Sequence, residues 1–220
     1  MKVIAFVNSK GGVGKTTLAT NISVMFARSR KKILLIDADQ QGSSMDFRGL
    51  RAENETVHQF PVTQILTPTI HKDINEFNFD NIIIDVGGRD NKIFRSAVMA
   101  SDFVIVPLCP SQYDFWGSQQ TFEILQEAKM TKPNLKVFSV LNMVIPGTKI
   151  AKEIETLIKD FETEYEIEFL KSRLNSRISY KYSVSEGLGV IEFSNADVKA
   201  VKEMKQFYKE LNDKLKQYEG

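Results

Sequence analysis

The chain has 220 residues, enough for one α/β domain with a sizeable core, and its 42% apolar and 26% charged composition is ordinary for a soluble globular protein. The formal net charge of +1 gives no global argument for a nucleic-acid or membrane partner, so any such partner must be sought in local patches. The single cysteine, Cys109, excludes an internal disulfide and a cysteine cage for a metal, and its apolar surroundings predict a buried, inert thiol. The apolar start is too short for a signal peptide, and no run reaches the ~18 to 20 apolar residues of a transmembrane helix, so we expect a cytoplasmic protein.

Short apolar runs alternate with helical patterns along the chain. The runs are rich in Val, Ile and Phe, with little period-two alternation, which is typical of parallel strands covered by helices on both faces. We predict strands at Val3–Val7, Ile33–Ile36, Ile82–Ile84, Phe103–Pro107 and Val137–Leu141, and helices at Thr16–Arg28, Lys92–Ala100, Phe115–Lys129, Lys149–Glu164 and Asn195–Gln217. This alternation predicts one doubly wound α/β domain over residues 1–220, with a mainly parallel sheet flanked by helices.

The segment Glu53–Phe79 has weak periodicity and is punctuated by two prolines. It predicts a short strand near Val57–Phe60, followed by a helix or a loop. Its two histidines, His58 and His71, are interpreted as surface or packing residues rather than catalysts or ligands.

A glycine-rich segment joins the first strand to the first helix, the position at which a phosphate-binding loop is found. Its glycines allow a tight turn and a close approach to phosphates, and its amides and the helix N-terminus form an anion site. We expect Lys15 to bind the β- and γ-phosphates, Thr16 to bind Mg²⁺, and Thr17 to reach the α-phosphate. The segment is Asn8-Ser9-Lys10-Gly11-Gly12-Val13-Gly14-Lys15-Thr16-Thr17.

The loop departs from the general motif because Ser9 stands where its first glycine would be. Lys10 and the Gly11-Gly12 pair instead match the pattern K-G-G-x-G-K-[ST], which resembles the deviant Walker A motif of the ParA/MinD family of ATPases. The resemblance runs through nearly the whole chain, although beyond about Ser111 it is pattern more than motif. It implies a P-loop NTPase fold and an ATP-sandwiched homodimer in which Lys10 reaches the partner's phosphates, like an arginine finger supplied in trans.

A buried strand ends in Asp37-Ala-Asp39-Gln40, which resembles the family segment D-x-D-P-Q-G. Acids at the carboxyl end of a parallel strand lie where such sheets bind ligands. The resemblance implies that Asp39 orients or activates the attacking water and that Asp37 supports the Mg²⁺ shell or the loop. A strand-to-loop cap is the alternative for Asp37. Gln40 replaces the family's usual proline.

A second apolar strand ends in Asp85, a Walker B pattern in which the carboxylate holds Mg²⁺, usually through a water. Gly87-Gly88 follows it where the family commonly has proline, which suggests a flexible switch loop that senses the γ-phosphate. The chain resembles most a subset of small plasmid-partition ATPases, and its segment Pro107–Ser111 is interpreted as a dimer-facing loop. By resemblance Asn142 contacts adenine, with an ordinary turn asparagine as the alternative.

The segment Leu170–Tyr182 carries four basic residues and no acid. Basic residues among hydroxyls can hold phosphodiesters without reading sequence, and in related partition ATPases this region binds nonspecific DNA once the ATP dimer forms. A solvated loop, or Arg177 paired with a carboxylate, is the alternative. The predicted DNA-binding residues are Lys171, Arg173, Arg177 and Lys181, of which the last two are four apart and would share a helical face.

Other members of the wider superfamily fit less well. MinD-type proteins end in a basic amphipathic membrane helix, whereas the lysines of the C-terminal helix here are nearly balanced by acids, and its end lacks large aliphatic residues. Nitrogenase iron proteins need cluster-binding cysteines, which a single Cys109 cannot provide. Biosynthetic ligases such as dethiobiotin synthetases share the fold, but no substrate motif for them is visible.

These features predict a slow, Mg²⁺-dependent ATPase that binds ATP or ADP and dimerises with ATP. The dimer would bind nonspecific DNA, and a centromere- or cargo-binding adaptor protein would stimulate hydrolysis and release it. We therefore expect a nucleoid-associated protein that segregates plasmid or chromosome copies or positions another cargo. Because the first strand begins at once, we expect no helix-turn-helix extension and no operator-specific repression. A membrane-bound positioning ATPase is the second hypothesis, and membrane binding is disfavoured.

Overall fold

A computed structural model describes residues 1–89, 91–146 and 150–218 of the chain. Strands and helices alternate along almost its whole length. The strands are β1 (Lys2–Phe6), β2 (Ile33–Ala38), β3 (Val62–Gln64), β4 (Asn81–Val86), β5 (Phe103–Leu108), β6 (Lys136–Val144) and β7 (Glu168–Asn175). The helices are α1 (Lys15–Arg28), α2 (Ser43–Ala52), α3 (Ile70–Asp73), α4 (Lys92–Ala100), α5 (Gln112–Thr131), α6 (Ile150–Tyr165), α7 (Ile178–Ser185) and α8 (Val198–Gln217).

The seven strands form one sheet in the order β3-β2-β4-β1-β5-β6-β7, and every neighbouring pair is parallel. Strand β1 lies between β4 and β5, at the point where the strand order reverses. In register, Asp85 of β4 pairs with Phe6 of β1 and with Asp37 of β2, so the ends of the three strands meet at one edge. Open parallel sheets bind their ligands at this switch point.

Successive residues of each strand point to opposite faces, and both faces are covered by helices. Helices α1, α2 and α8 cover one face, where residues such as Leu18, Phe47 and Phe207 pack beneath them. Helices α3 to α6 cover the other face, with Phe94, Phe122 and Phe161 in its core. Burial on both faces explains why the central strands are continuous apolar runs, and it confirms the predicted doubly wound α/β class.

The five predicted strands and five predicted helices are confirmed, with ends that shift by up to three residues. Lys149, the predicted start of one helix, lies outside the described residues. The strand expected near Val57–Phe60 is displaced, because β3 begins after Pro61. The carbonyl of Pro61 accepts a hydrogen bond from the Leu35 amide (3.1 Å), so the missing N–H of proline is no obstacle at this edge of the sheet.

The sequence did not predict β7, the strand at the other edge of the sheet. This strand carries Glu168, Lys171 and Arg173 among apolar residues, so its composition is typical of a loop. Charged residues are common on edge strands, where they discourage pairing with other chains. Helix α2 was missed for a similar reason, since it has few apolar residues. Over the described ranges, no helix has the length and apolarity needed to cross a bilayer.

Candidate nucleotide-binding site

The glycine-rich segment forms a loop between β1 and α1, and a cavity of about 670 Å³ opens in front of it. Gly12 and Gly14 have positive φ values of 76° and 90°, which side-chain-bearing residues rarely adopt. The loop and the first turn of α1 face the residues that follow β2 and β4 across the cavity. Among the residues that line this cavity are Gly11, Gly12, Gly14, Lys15, Thr16, Thr17, Asp39, Gln40, Gln41, Gly87, Gly88, Arg89 and Asn91.

Lys15 is buried at the base of this cavity, and its Nζ donates a hydrogen bond to the Lys10 carbonyl (3.1 Å). Burial lowers the pKa of Lys15, while the nearby carboxylates of Asp85 and Asp39 act to raise it. The ammonium group is therefore held in a partly desolvated position beside the loop. Binding of a polyphosphate would supply the negative charge that such a position lacks.

Asn142, at the end of β6, holds the loop in place. Its Nδ2 donates to the Val13 carbonyl (2.8 Å), and a Cβ atom on Gly14 would come within 2.4 Å of the same nitrogen. Gly14 is thus required both for its φ value and for its close approach to Asn142. The predicted adenine contact of Asn142 stays a prediction; Asn142 also lines the smaller cavity described below.

Asp85 is fully buried beside Thr16 at the end of β4. Ser44 Oγ donates to Asp85 Oδ2 (2.8 Å), and Oδ1 has no hydrogen-bond partner among the described residues. Burial raises the pKa of Asp85 to about 7, against the opposing effects of the Thr16 and Ser44 hydroxyls. An orphaned carboxylate oxygen next to a threonine hydroxyl is the donor chemistry that Mg²⁺ prefers, so these residues fit a nucleotide-bound Mg²⁺. Among the described residues there is no group of three or more His, Cys, Asp or Glu side chains that could hold a metal ion.

Asp37 is placed differently from Asp85. Its carboxylate accepts hydrogen bonds from the backbone amides of Asp39 (3.0 Å), Ser44 (3.0 Å) and Met45 (3.0 Å), and its side chain is fully buried. Burial raises the pKa of Asp37, and these three amides oppose the rise. Of the two roles predicted for Asp37, the geometry therefore favours support of the loop, together with the α2 N-terminus, over support of the Mg²⁺ shell.

Asp39 lines the cavity opposite the phosphate loop. Its Oδ1 accepts from the Gln41 amide (3.0 Å), and its carboxylate lies against the backbone of Gly87, where a Cβ atom would come within 3.2–3.4 Å of three of its atoms. Gly87, which replaces the family's common proline, thus allows the loops after β2 and β4 to touch. The backbone of Gly42 closes the turn by donating to the Asp39 carbonyl (3.1 Å), with Gln40 inside it.

The side chain of Lys10 leaves the cavity of its own subunit. Its Nζ pairs with Asp114 of α5, and it is not among the residues that line the phosphate cavity. Asp114 also accepts from the hydroxyl of Ser111, the residue that caps the N-terminus of α5. The sequence did not indicate Asp114 as a partner of Lys10, although the pair Ser111 and Asp114 is a recognisable capping pattern.

A smaller, more apolar cavity of about 260 Å³ lies on the far side of Thr17. It is lined by residues of α1, the end of β6 and the segment from β7 to α7: Gly12, Thr17, Leu18, Asn142, Met143, Asn175, Ser176, Arg177, Tyr180 and Lys181. A mainly apolar slot beside the phosphate loop has the properties of a pocket for a nucleotide base. Met143 and Tyr180 are lining residues that the sequence did not indicate. Nearby, Cys109 is half-buried, and not fully buried as predicted. Desolvation raises the pKa of its thiol to about 11.

The predicted basic patch is divided by the structure. Lys171 and Arg173 are exposed on β7, two residues apart and so on one face. Arg177 precedes α7 instead of lying in it, so it does not form the expected helical pair with Lys181. Its guanidinium donates to Glu203 (2.6–3.1 Å) and to Asp197 (2.6 Å), and its side chain is only 16% exposed. Arg177 is thus paired with carboxylates and is not presented to a polyanion. This agrees with the alternative interpretation of Arg177 and not with its predicted DNA contact.

The sequence of residues 4–206 matches the family described as the CobQ/CobB/MinD/ParA nucleotide binding domain. The chain is 30% identical over 211 residues to the "Maintenance of carboxysome distribution protein A" of Halothiobacillus neapolitanus, covering 94% of this chain and 95% of that protein. It is 27% identical over 186 residues to the "Chromosome-partitioning ATPase Soj" of Thermus thermophilus, covering 71% and 75% of the two chains.

Solved structures agree with the fold. The TM-score is 0.74 to apo McdA of Cyanothece, at 19% identity and with 96% and 99% of the two chains covered. It is 0.75 to MinD of Pyrococcus horikoshii in complex with Mg-ADP, at 16% identity and with 97% of each chain covered. The phosphate loop, the opposed carboxylates and the sheet order accord with these matches, and the chain belongs to the CobQ/CobB/MinD/ParA nucleotide-binding family, with ParA-, Soj- and McdA-type partition ATPases among its relatives.

Proposed function

We propose that this protein is a dimerising partition ATPase that binds nonspecific DNA in its ATP state and hydrolyses ATP slowly until an adaptor protein stimulates it. The observation that carries this proposal is the position of Lys10. The loop contains a second lysine whose side chain points away from its own phosphate cavity and towards α5. A cation at the mouth of one site is suited to complete the site of a second subunit, where it would stabilise charge on the transferred phosphoryl group.

Each residue of the site has a role in hydrolysis by in-line attack of water on the γ-phosphate. Lys15 and the loop amides would bind the β- and γ-phosphates, and Thr16 and Asp85 would hold Mg²⁺. Bound Mg²⁺ supplies neutralisation of the negative charge on these phosphates. Asp39, across the cavity, would position the water. Catalysis by positioning and fixed charge, with little covalent chemistry, suits a slow molecular switch.

The relatives support a partitioning role and leave two classes of cargo. The Halothiobacillus relative is named for carboxysome distribution, and the Thermus relative for chromosome partitioning. We therefore propose that the cargo is either a DNA replicon or a protein assembly that moves on the nucleoid, in each case through a cargo-bound adaptor.

The test uses Asp39→Ala protein, in which loss of the water-positioning carboxylate should trap the ATP dimer. Sedimentation and DNA binding are measured with Mg²⁺ and either ATP or ADP over a series of salt concentrations. We expect a dimer and DNA binding with ATP alone, and affinity that falls steeply with salt because the contacts are to phosphates. Asp39→Ala/Lys15→Ala protein is the control, and it should neither dimerise nor bind DNA.

A dimer that binds no DNA would contradict the DNA part of this proposal and leave the ATPase assignment in place. No dimer with ATP would contradict the role of Lys10. A membrane-bound positioning ATPase is less well supported, since the apolar face of α8 is buried: Ala200, Met204, Phe207, Leu211 and Leu215 all pack against the sheet.

A further inference from the structure

Helix α8 separates its charges in a way that its balanced sequence does not reveal. Two of its three acids face the sheet edge and are already bound: Glu203 pairs with Arg177, and Glu210 accepts from the amides of Lys171 (2.7 Å) and Ser172 (2.8 Å). The third, Asp213, is exposed. On the same inner side, Lys214 pairs with Glu168 of β7 (2.5 Å). Because these carboxylates are satisfied on the inner side, they do not neutralise the outer side of the helix.

Four lysines are left on the outer side, and they form what we name the lysine stripe. At ~100° per residue they fall within about 60° of arc, so they lie in one line along the helix. All four are exposed, and within the described ranges of the chain none takes part in an ion pair. The single acid at the border of the stripe is Asp213. The stripe consists of Lys202, Lys205, Lys209 and Lys216.

A second set of basic residues joins this stripe from another part of the chain. Residues 28–32, which we name the basic turn, connect α1 to β2 and read Arg-Ser-Arg-Lys-Lys, with every residue exposed. Its shape is fixed, since Arg30 has a φ of 59° and the amides of Arg30 and Lys31 donate to the end of α1. The local acid, Asp80, accepts from the Lys32 amide (2.8 Å).

The basic turn packs against α8 at Tyr208, a residue next to the lysine stripe. Ser29 Oγ and Tyr208 OH are 3.0 Å apart, and the Tyr208 ring packs edge-on against Phe26 of α1 at 5.1 Å between centroids. Tyr208 directly precedes Lys209 and is one turn from Lys205. The two sets therefore make one continuous basic surface, built from segments about 170 residues apart that a linear search for basic runs does not join.

We infer that this surface, the basic turn with the lysine stripe, is where the ATP dimer binds the phosphate backbone of duplex DNA. The inference rests on the proposed function, and it moves the interface away from the β7–α7 segment that the sequence indicated. Unpaired, exposed ammonium and guanidinium groups suit sequence-independent contact with phosphates. Insertion into a lipid surface is disfavoured, because the stripe has no large apolar residue and the apolar face of α8 is buried in the core.

Three matched pairs of substitutions test this in the Asp39→Ala background, and each removes two positive charges per subunit. Lys205→Gln/Lys209→Gln alters the stripe, Arg30→Gln/Lys31→Gln alters the turn, and Lys171→Gln/Arg173→Gln alters the exposed part of the β7 patch as the control. The ATP dimer is first confirmed for each by sedimentation. DNA affinity is then measured by fluorescence anisotropy between 50 and about 200 mM salt, a range in which phosphate contacts dominate the salt response.

We expect the stripe and turn variants to lose about tenfold or more in DNA affinity and to flatten the dependence of log K on log salt by up to about 3.6, since each dimer loses four charges and ~0.9 counterion is released for each phosphate contact. The control variant should change by less than about threefold. Unchanged binding in the first two variants, or loss confined to the control, would overturn this inference while the proposed DNA-binding function stands.

Failure of the unsubstituted Asp39→Ala dimer to bind any DNA would instead contradict the proposed function itself. Vesicles of phosphatidylglycerol and phosphatidylethanolamine provide a parallel measurement. Binding of the dimer to vesicles but not to DNA, lost in the stripe variant, would assign the surface to a membrane and overturn the inference.

Discussion

The phosphate cavity and the network around Arg177 both contain charged side chains with little exposure. They differ in that the charges of the cavity are only partly satisfied, whereas those around Arg177 are paired. In the cavity, Asp85 has a buried oxygen without a partner and Lys15 is desolvated next to open space. Around Arg177, the guanidinium is bound by Glu203 and Asp197, and Glu203 also binds Asn175. Unsatisfied buried charge is costly and indicates a place for a ligand, whereas satisfied charge stabilises the fold.

The two regions also shift carboxylate pKa values in opposite directions. Burial dominates at Asp85 and raises its pKa to about 7. At Glu203 partial burial acts in the same direction, but hydrogen bonds from Arg177 and Asn175 prevail and leave the pKa below its ordinary value. The following predictions use this contrast, beginning with the largest expected effect.

Gly14→Ala should be the most damaging change at the site. The substitution combines a φ of 90° with a Cβ 2.4 Å from Asn142 Nδ2, so the loop or β6 must move. We expect a loss of about 3 kcal/mol or more in the free energy of unfolding without nucleotide. Gly12→Ala is the control, because it shares a positive φ but meets nothing within 4 Å, and should cost about 1–2 kcal/mol. Equal losses in thermal or urea unfolding would show that Asn142 does not constrain the loop.

Asp85→Asn should stabilise the nucleotide-free protein while impairing Mg²⁺-ATP binding. A carboxylate whose pKa is raised on folding contributes stability below its unfolded pKa of ~4, and that contribution is lost as pH rises through about 7. Removal of the charge should therefore raise the free energy of unfolding at pH 8 by on the order of 1–3 kcal/mol, with little change at pH 4. Urea unfolding across this pH range, without Mg²⁺ or nucleotide, measures the effect.

Glu203→Gln provides the opposite case for comparison with Asp85→Asn. Its lowered pKa means that the wild-type carboxylate stabilises the fold above the unfolded pKa of ~4.3 and loses this effect as pH falls further. The variant should be less stable than wild type at pH 8 and approach it in acid. If both variants changed stability with the same sign at pH 8, the distinction between the two regions would not hold.

Arg177→Ala should lower the thermal midpoint by about 3–6 °C, because it leaves Glu203 without its ion-pair partner. Arg173→Ala is the matched control. Its guanidinium is 47% exposed and 3.8 Å from Glu155, so we expect a change of about 1 °C or less. A destabilised Arg177 variant would also lose DNA binding for structural reasons alone. Equal midpoints for the two variants would show that the Arg177 network does not support the fold.

The difference between these regions explains what the sequence could predict. The phosphate loop, Asp39 and Asp85 are adjacent to strands with clear apolar patterns, so their meeting at one sheet edge follows from strand order and short connections. The partners of Lys10 and Arg177 do not follow in this way. Asp114 lies 104 residues from Lys10, and Glu203 lies 26 residues from Arg177, which follows an edge strand that the sequence did not reveal. Long-range side-chain pairing depends on packing, which single-sequence patterns do not encode.

Asp114→Asn is expected to have the smallest effect of these substitutions. It tests whether the Lys10–Asp114 pair within one subunit competes with the proposed contact between Lys10 and the phosphates of a partner subunit. Asp114 holds Lys10 against α5, so the proposed contact with a partner's phosphates requires this pair to open. Asparagine keeps a side-chain oxygen for the Ser111 cap but removes the charge that binds Lys10. The dissociation constant of the ATP dimer should therefore be about threefold lower in the Asp39→Ala/Asp114→Asn protein than in the Asp39→Ala protein, a change of ~0.7 kcal/mol.

A double-mutant cycle makes this assignment specific. In a Lys10→Gln background the Asp114→Asn change should leave the dimer dissociation constant unaltered, because there is no ammonium to release. A threefold effect that persists without Lys10 would mean that Asp114 acts through the N-terminus of α5 instead. A weaker dimer in the Lys10-containing protein would mean that the pair orders Lys10 for its partner rather than withholding it. Sedimentation equilibrium with ATP and Mg²⁺ distinguishes these results, since all four proteins of the cycle retain Lys15, Thr16 and the loop glycines.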